Sequence, residues 1–286
     1  MQRGCVRLAP PGGVLMMRST PALFLTALCL MALSLTAEVA PAAKAPERLR
    51  LPVGARVGVI NMLDPEVTHF HASRQIEDSF LKTYAVSWPV NAMLYASVKD
   101  GLTQLGLTAV EVGASDELRR ARETCFLNAA LAKGLPRECG PMFVRLAAAE
   151  RLNAIIVLGP GRNDPAHAAG TRHRELPEYL RGWCFVTGTG ASDAPPTLLN
   201  LTELLLVGIG AQGAQLADRQ WGGDGQSWTG YRPPGDLKAF PDAQLDQLQP
   251  LFGAMLKQQA GRALGRLQVV RLAGVAQGPA GHTLPP

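Results

Sequence analysis

Apolar and polar positions alternate in two ways along the chain, and each way predicts one kind of element. Short apolar runs at residues 57–62 and 154–158 are typical of strands buried on both faces of a sheet. Residues 90–106 instead repeat apolar side chains every three or four positions, which predicts a helix that Gly106 ends. Residues 107–112 return to β-type alternation, so the opening of the chain reads as strand, helix, strand.

The remaining pattern adds helices and a hairpin. The expected elements are a helix over 115–133 with Ser115 as its N-cap, a helix from Pro141 to Leu152, a strand over 183–187, an antiparallel hairpin of 198–209 and 215–221, and a helix over 242–267 whose first turns Pro250 bends or splits. This order predicts a three-layer α/β fold with a mixed, mostly parallel sheet. The hairpin lies at one edge of the sheet, and a long helix closes the chain.

The N-terminal segment is typical of an export signal. Arg18 precedes an apolar run that ends in small residues, which predicts a signal peptide over 1–37, with cleavage after Ala37 or near Ala43. A permanent membrane anchor is the alternative, but the run is short for a span of about 20 residues. A linker over 38–52, a single α/β domain over 53–272 and a disordered Gly/Pro-rich tail over 273–286 complete the predicted organisation. The expected location is the periplasm or the medium, with no membrane span left after cleavage.

The charge of the chain is too small for nucleic-acid binding. The full sequence of 286 residues carries a formal charge of +5. Removal of the leader takes away Arg3, Arg7 and Arg18 from the 28 basic residues and none of the 23 acids, which leaves about +2. Recognition of a nucleic acid needs a concentrated basic face, so no nucleic-acid partner is expected.

The cysteines fit an oxidising compartment. Three remain after the leader, and Cys125 and Cys139 are spaced to close a short loop worth roughly 3 kcal/mol in the loop-entropy model. We therefore predict a disulfide between these two. Cys184 lies in an apolar stretch and is interpreted as a small buried side chain.

Polar side chains follow two of the predicted strands. If the strands near residues 60 and 156 are parallel neighbours, both of the loops that follow leave the carboxyl edge of the sheet, where open α/β folds bind ligands. The candidate ligand-binding residues are Asp64, His69, His71, Arg162, Asp164, His167, Arg172 and His173. Imidazole and carboxylate groups suit a divalent metal, and any such metal would be held by His69, His71 and His167. Surface or structural histidines are the alternative interpretation.

Diagnostic catalytic motifs are absent from the sequence. It contains no His-Glu-x-x-His and no Gly-x-Ser-x-Gly. Residues 208–213 match Gly-x-Gly-x-x-Gly, but Trp221-Gly222-Gly223 ends the segment before a helix and a second strand could follow. The dinucleotide interpretation is therefore rejected.

The chain resembles two groups of bacterial proteins. The opening Val57-Gly58-Val59-Ile60 strand, residues 152–158 after a helix, and the hairpin turning at Gln212-Gly213 resemble envelope α/β domains of curli-secretion-type assembly lipoproteins. The resemblance covers residues 56–221 and departs from that group in lacking a lipobox. The whole chain is also similar to uncharacterised exported, periplasmic proteins of Gram-negative bacteria. The first resemblance implies binding or assembly in the cell envelope, whereas the second implies no mechanism.

These observations favour binding over catalysis. The leading hypothesis is a periplasmic protein that binds an envelope protein or a small ligand, with no cofactor. The alternative is a metal-dependent hydrolase that uses a divalent ion held by the two polar loops.

Overall fold

The computed structural model describes residues 48–73, 75–126, 134–161, 180–188, 195–223 and 225–271. All of these residues belong to one compact unit, Ala45–Pro286. The predicted signal peptide, most of the predicted linker and the predicted tail lie outside the described residues. No helix in the described ranges is long and apolar enough to cross a membrane.

The described residues contain eleven strands, a 3-10 turn at Ile76–Asp78 and six helices. The strands are β1 (Leu49–Pro52), β2 (Arg56–Asn61), β3 (Glu66–His71), β4 (Phe80–Ala85), β5 (Thr108–Glu111), β6 (Ala154–Pro160), β7 (Gly182–Thr187), β8 (Thr197–Gly210), β9 (Gly213–Trp221), β10 (Gln226–Ser227) and β11 (Leu267–Val270). The helices are α1 (Val90–Gln104), α2 (Asp116–Arg120), α3 (Arg122–Phe126), α4 (Cys139–Glu150), α5 (Asp242–Leu245) and α6 (Leu248–Leu264).

The long strand β8 is the centre of the main sheet. Residues 202–208 of β8 pair with β6, and residues 197–201 pair with β7. On the opposite side of β8, β9 pairs with residues 203–210 and β10 with residues 197–198. Strands β6 and β7 therefore lie end to end along one side of β8, and β9 and β10 lie end to end along the other.

Strands β2 and β3 repeat this arrangement one position further out. β2 runs parallel to β6 in the register Val57↔Ala154 to Asn61↔Leu158. β3 runs parallel to β7, from Val67↔Trp183 onwards. The parallel neighbours predicted near residues 60 and 156 are thus confirmed, and the four residues between β2 and β3 form a break that we call the strand junction (residues 62–65).

The sheet is mixed, but the prediction that it is mostly parallel is wrong. Among the described strands of the main sheet, β2 pairs in parallel with β5 and β6, and β3 with β7. The pairs β3–β4, β6–β8, β7–β8, β8–β9 and β8–β10 are antiparallel. An apolar run shows that both faces of a strand are buried, but it does not show the direction of the neighbouring strand.

Helices cover both faces of the sheet. Alternate residues of β2 point to opposite sides: Val57 and Val59 pack in the cluster that contains α1 and α6, whereas Ile60 packs in the cluster that contains Phe126 and Phe143. We call these sides the α6 face and the α4 face. Each fully buried aliphatic side chain of this kind contributes about 1.5–3 kcal/mol. The α/β class with three layers follows from this packing.

Three local sequence features form the helix ends and the turn that were expected of them. α1 ends in a Schellman motif, in which Leu107 N–H donates to the Leu102 carbonyl and Gly106 has a φ of 73°. Ser115 Oγ accepts a hydrogen bond from Leu118 N–H and caps α2. The hairpin of β8 and β9 forms, with Ala211 and Gln212 as its two-residue turn.

Other boundaries need correction. The described part of the helix expected over 115–133 is divided at Ala121 into α2 and α3. The helix expected over 242–267 ends at Leu264, and the split expected near Pro250 is confirmed by an interruption at residues 246–247, because the proline ring excludes a helical carbonyl four residues earlier. The end of the segment predicted as a linker forms β1, which pairs in parallel with β11. A strand of four residues is too short to give a clear pattern.

Candidate functional site

Asn61 organises the strand junction. Its Oδ1 accepts from Leu63 N–H at 3.0 Å, and its Nδ2 donates to the Leu63 carbonyl at 3.1 Å and to Asn91 Oδ1 at 2.9 Å. These bonds satisfy backbone groups that lose their ladder partners where β2 ends. Pro65 then prevents direct continuation of the strand. The junction is therefore a defined structure with its polar groups paired.

A cleft of about 240 Å³ opens beside this junction. Its wall combines the strand junction, the end of β6, the start of β7, helix α3 and the strands β3 and β4. The charged lining residues are Asp64, Glu66, Arg122, Glu123 and Arg181, and hydroxyl groups come from Thr68 and Thr83. The cleft lies where the sequence analysis placed the ligand crevice, beyond the carboxyl ends of two parallel strands.

Helix α3 is fixed in place by two contacts. Cys125 and Cys139 form a disulfide with a Cα–Cα distance of 5.8 Å, which ties α3 to the start of α4. The ring of Phe126 packs directly on Gly159 of β6. Arg122 and Glu123 are only a few residues away on the same short helix. The covalent bond and the ring contact thus hold both charged side chains over the ends of β2 and β6.

Two ion pairs cross the cleft. Arg122 bonds to Asp64 and also donates to the Met62 carbonyl at 3.3 Å, whereas Arg181 lies 3.8 Å from Glu123. All four side chains are partly exposed, so each pair contributes at most about 1 kcal/mol to stability. Glu66 has no ion-pair partner among the described residues. The pairs orient charge at the cleft, but they add little to stability.

The two candidate histidines lie on a strand, so the prediction of a polar loop at that point is wrong. His69 and His71 occupy alternate positions of β3 and point to the same face, as their spacing requires. His69 Nε2 and His71 Nδ1 both hydrogen-bond Thr187 Oγ1, at 2.7 and 2.8 Å. The hydroxyl carries a single proton, so it donates to one imidazole and accepts from the other.

His69 is a core residue on the α6 face. It has no exposed surface, stacks on Phe185 with ring centroids 4.4 Å apart, and meets Phe80 and Phe240 edge-on. Burial, together with the charge of nearby His71, lowers the pKa of His69 to about 3, although the Leu237 carbonyl opposes the shift. Burial also lowers the pKa of His71. His69 is therefore neutral at pH 7, and its Nε2 is already occupied.

A third polar cluster joins α6 to β8 in the core. Gln259 Oε1 accepts from Thr202 Oγ1 at 3.0 Å and from Asn200 Nδ2 at 3.2 Å, and Gln259 Nε2 donates to the Gln220 carbonyl at 2.7 Å. All three side chains are fully buried. The cluster positions the C-terminal helix on the central strand and satisfies groups that would otherwise be buried without a partner.

Of the three predicted site residues that the structure describes, one lies at the cleft. Asp64 lines it, whereas His69 and His71 belong to the histidine–threonine cluster on β3 and β7. The candidates Arg162, Asp164, His167, Arg172 and His173 lie outside the described residues. Within the described ranges, no three His, Cys, Asp or Glu side chains are grouped so that they could hold a metal ion. Cys184 is buried, which raises the pKa of its thiol to about 12.

Sequence reasoning missed most of the charged residues of the cleft. Glu66, Arg122, Glu123 and Arg181 carry no motif, and they come from three segments far apart in sequence. The expected disulfide was the one available signal, because Cys125 lies next to Arg122 and Glu123 in the chain. An expected cross-link at Cys125 could have drawn attention to that helix.

Comparison with known proteins adds little to this geometry. No protein-family model and no curated protein matches the chain. A similar solved structure is that of the hypothetical protein CT253 from Chlamydia trachomatis. It is 11% identical and aligns over 74% of this chain and 95% of that chain, with a TM-score of 0.37. A likeness at that level carries no argument about fold or function.

Proposed function

We propose that this chain is an exported protein of the cell envelope, periplasmic or secreted, that binds a ligand or a partner protein at the cleft beside the strand junction and catalyses no reaction. The observation that carries the proposal is the chemistry of the cleft wall. Its described lining residues supply carboxylates, guanidinium groups, threonine hydroxyls and apolar side chains, but no histidine, cysteine, serine or lysine. Such a wall recognises charge and shape, and its described residues do not include the serine or cysteine and the histidine that form the most familiar pairs of nucleophile and base.

Two further features support a location in the envelope. The leader pattern of residues 1–37 is that of an export signal. The disulfide between Cys125 and Cys139 suits an oxidising compartment, where such bonds persist. The resemblance to envelope assembly domains agrees with a role in binding.

No described contact favours the alternative of a metal-dependent hydrolase. A catalytic zinc site uses three protein ligands and one open position. Two of the three proposed ligands, His69 and His71, already bond to Thr187, and His69 is closed off from solvent. The third, His167, lies outside the described residues.

The proposal is tested by a ligand screen run beside an activity screen. We expect amino acids, short peptides or sugars to raise the melting temperature of the mature protein in a thermal-shift assay. The double variant Arg122→Ala, Arg181→Ala should lose the shift. Arg119→Ala removes an exposed arginine of α2 outside the cleft and should keep it.

Two results would overturn the proposal. One is turnover of generic ester, phosphoester or glycoside substrates by the purified mature protein. The other is a ligand-induced shift of equal size in the wild type and in the double variant, because binding would then lie elsewhere.

A further inference from the structure

β4 differs from the other outer strands of the sheet in the described residues. β5 has four residues and β10 has two, and the pairing of β9 is interrupted by a register shift between Leu206 and Val207. β4 has six residues in unbroken register with β3, and most of its residues are exposed. Short strands and bulges are the usual protection of a sheet edge against added strands. β4 lacks both.

A hydrogen bond at the end of β4 shows which of its backbone groups face β3. Val86 N–H donates to the Pro65 carbonyl. Because the hydrogen-bonding residues of an antiparallel pair alternate, the backbone N–H and C=O groups of Tyr84 and Lys82 also point to β3. The backbone groups of Leu81, Thr83 and Ala85 therefore point outward. In the described parts of the chain, these outward groups have no backbone partner.

The one charged side chain of β4 is turned away from the edge. A lysine on an edge strand normally discourages pairing with another chain. Lys82 instead bonds to the Lys238 carbonyl, and its Nζ lies 5.1 Å from the centre of the Tyr84 ring. Both contacts hold the charge on the α6 face. The row of outward donors and acceptors is therefore left open.

The opposite face of β4 forms one wall of the cleft. Leu81 and Thr83 line the cleft, and Leu81 is one of three large apolar residues exposed in the described ranges, at 42%. Glu66 stands directly opposite Ala85 in the β3–β4 pair. Ala85 is small, so it leaves room for a long side chain to pass over it towards the Glu66 carboxylate.

We propose that β4 accepts an extended segment of a partner protein as an added strand, with an apolar side chain beside Leu81 and a lysine or arginine that reaches Glu66. This rests on the proposed function, because it names the kind of partner that the cleft receives. Strand addition supplies affinity through the main chain and specificity through alternate side chains. Leu81 and Ala85 are four residues apart, so the partner's apolar and basic residues are also four apart.

The negative charge of Glu66 favours a segment of another protein over a second copy of this chain. The two arginines of the cleft are already paired with Asp64 and Glu123. Among the described carboxylates of the cleft, this leaves Glu66 without an ion pair. If two copies paired through β4, the side chains presented on this face would be Leu81, Thr83 and Ala85. None of these is cationic, so self-pairing leaves Glu66 without a counter-charge.

The test uses a fluorescein-labelled decapeptide of alternating threonine and valine, with leucine and lysine four residues apart on one face. We expect fluorescence anisotropy to show binding to the full mature protein. Replacing the peptide lysine with glutamate should weaken binding at least tenfold. A peptide N-methylated at the amides of one edge should not bind, because it cannot pair as a strand.

Variants of the protein give matched controls. Glu66→Gln should weaken binding of the lysine peptide at least fivefold, whereas Glu77→Gln, an exposed carboxylate outside the cleft, should leave it unchanged. Thr83→Pro removes an outward N–H and should abolish binding. The N-methylated peptide tests the same point without any change to the protein.

Three results would overturn strand addition by a foreign segment. They are equal binding of the N-methylated peptide, equal binding of the lysine and glutamate peptides, and a dimer of the free protein that Thr83→Pro dissociates in light scattering. The proposed function would survive any of them if a cleft ligand is still lost in the Arg122→Ala, Arg181→Ala variant. Turnover of a generic substrate would instead overturn the proposed function and leave the peptide result as measured.

Discussion

The ring of Phe126 fills the space that a side chain on Gly159 would need: a Cβ at Gly159 would lie 2.3 Å from Phe126 Cδ1. This contact seats α3 on β6 and so places one wall of the cleft. It joins a residue of the disulfide-linked helix to the central part of the sheet.

Gly159→Ala should destabilise the protein by about 1–3 kcal/mol, because the ring must move out of a packed core. Chemical denaturation measures the free energy of unfolding. Gly140→Ala is the matched control, since a Cβ there meets nothing within 4 Å, and its effect should be within about 0.5 kcal/mol. Equal effects of the two changes would show that Phe126 does not pack as described.

Removing the disulfide should cost roughly 3 kcal/mol. Cys125→Ser and Cys139→Ser are each expected to lower the denaturation midpoint, and the double variant should resemble either single one because the same bond is lost. Thiol titration of the denatured, non-reduced mature chain should count one thiol, that of Cys184. Three free thiols would contradict the bond.

Stability should fall as the pH is lowered from about 6.5 towards 3. The pKa of His69 is about 3 in the folded protein and near 6.5 when unfolded, so the unfolded chain binds the extra proton in this range. The free energy of unfolding falls by up to about 1.4 kcal/mol per pH unit. The fall ends below pH 3, where His69 is protonated in both the folded and the unfolded protein. The free energy of unfolding measured at several pH values gives this slope.

His69→Phe keeps an aromatic ring beside Phe185 and removes the titrating group, so this variant should show a flatter pH profile. Burial also lowers the pKa of His71, so His71 also makes stability fall as the pH is lowered. An unchanged slope in His69→Phe would assign the pH dependence to other groups.

Asn61→Ala should destabilise the protein by about 2–3 kcal/mol, since it leaves the Leu63 N–H and carbonyl without their partner at the strand junction. Asn91→Ala removes only the outer hydrogen bond to Asn61 and should cost less than about 1 kcal/mol. Denaturation curves for the two variants compare these effects. A larger effect at Asn91 would show that the junction is not organised by Asn61.

The apolar pattern was sufficient to predict α1 and the buried strands β2, β6, β7 and β8, but it predicted neither β3 nor the junction nor the mostly antiparallel pairing. The apolar runs of residues 57–62 and 154–158 indicate buried strands, but that the two strands are parallel neighbours was an assumption, which the structure confirms. His69 was placed in a loop because a histidine counts as polar, while its partner Thr187 is 118 residues away. β4 was missed because its residues are mostly exposed.

The candidate site was predictable only in position. The carboxyl ends of two parallel strands indicated where a crevice would form, and Asp64 lies there. Arg122 and Arg181 could not be predicted, because packing and the disulfide bring them from separate segments. The relation between distant residues depends on tertiary contacts that a single sequence does not display.

The unbroken run of β8 past the strand junction has a consequence for folding. Its partners include β6, whose seven paired residues lie 42–54 positions earlier in the chain, and β10 after the hairpin, so a substantial part of its pairing is non-local. High contact order of this kind slows the search for the native state. β8 pairs with strands on both sides of the strand junction, so neither half of the sheet can form without it. We therefore expect the protein to melt in a single cooperative transition, although β2 and β3 are separated by the junction.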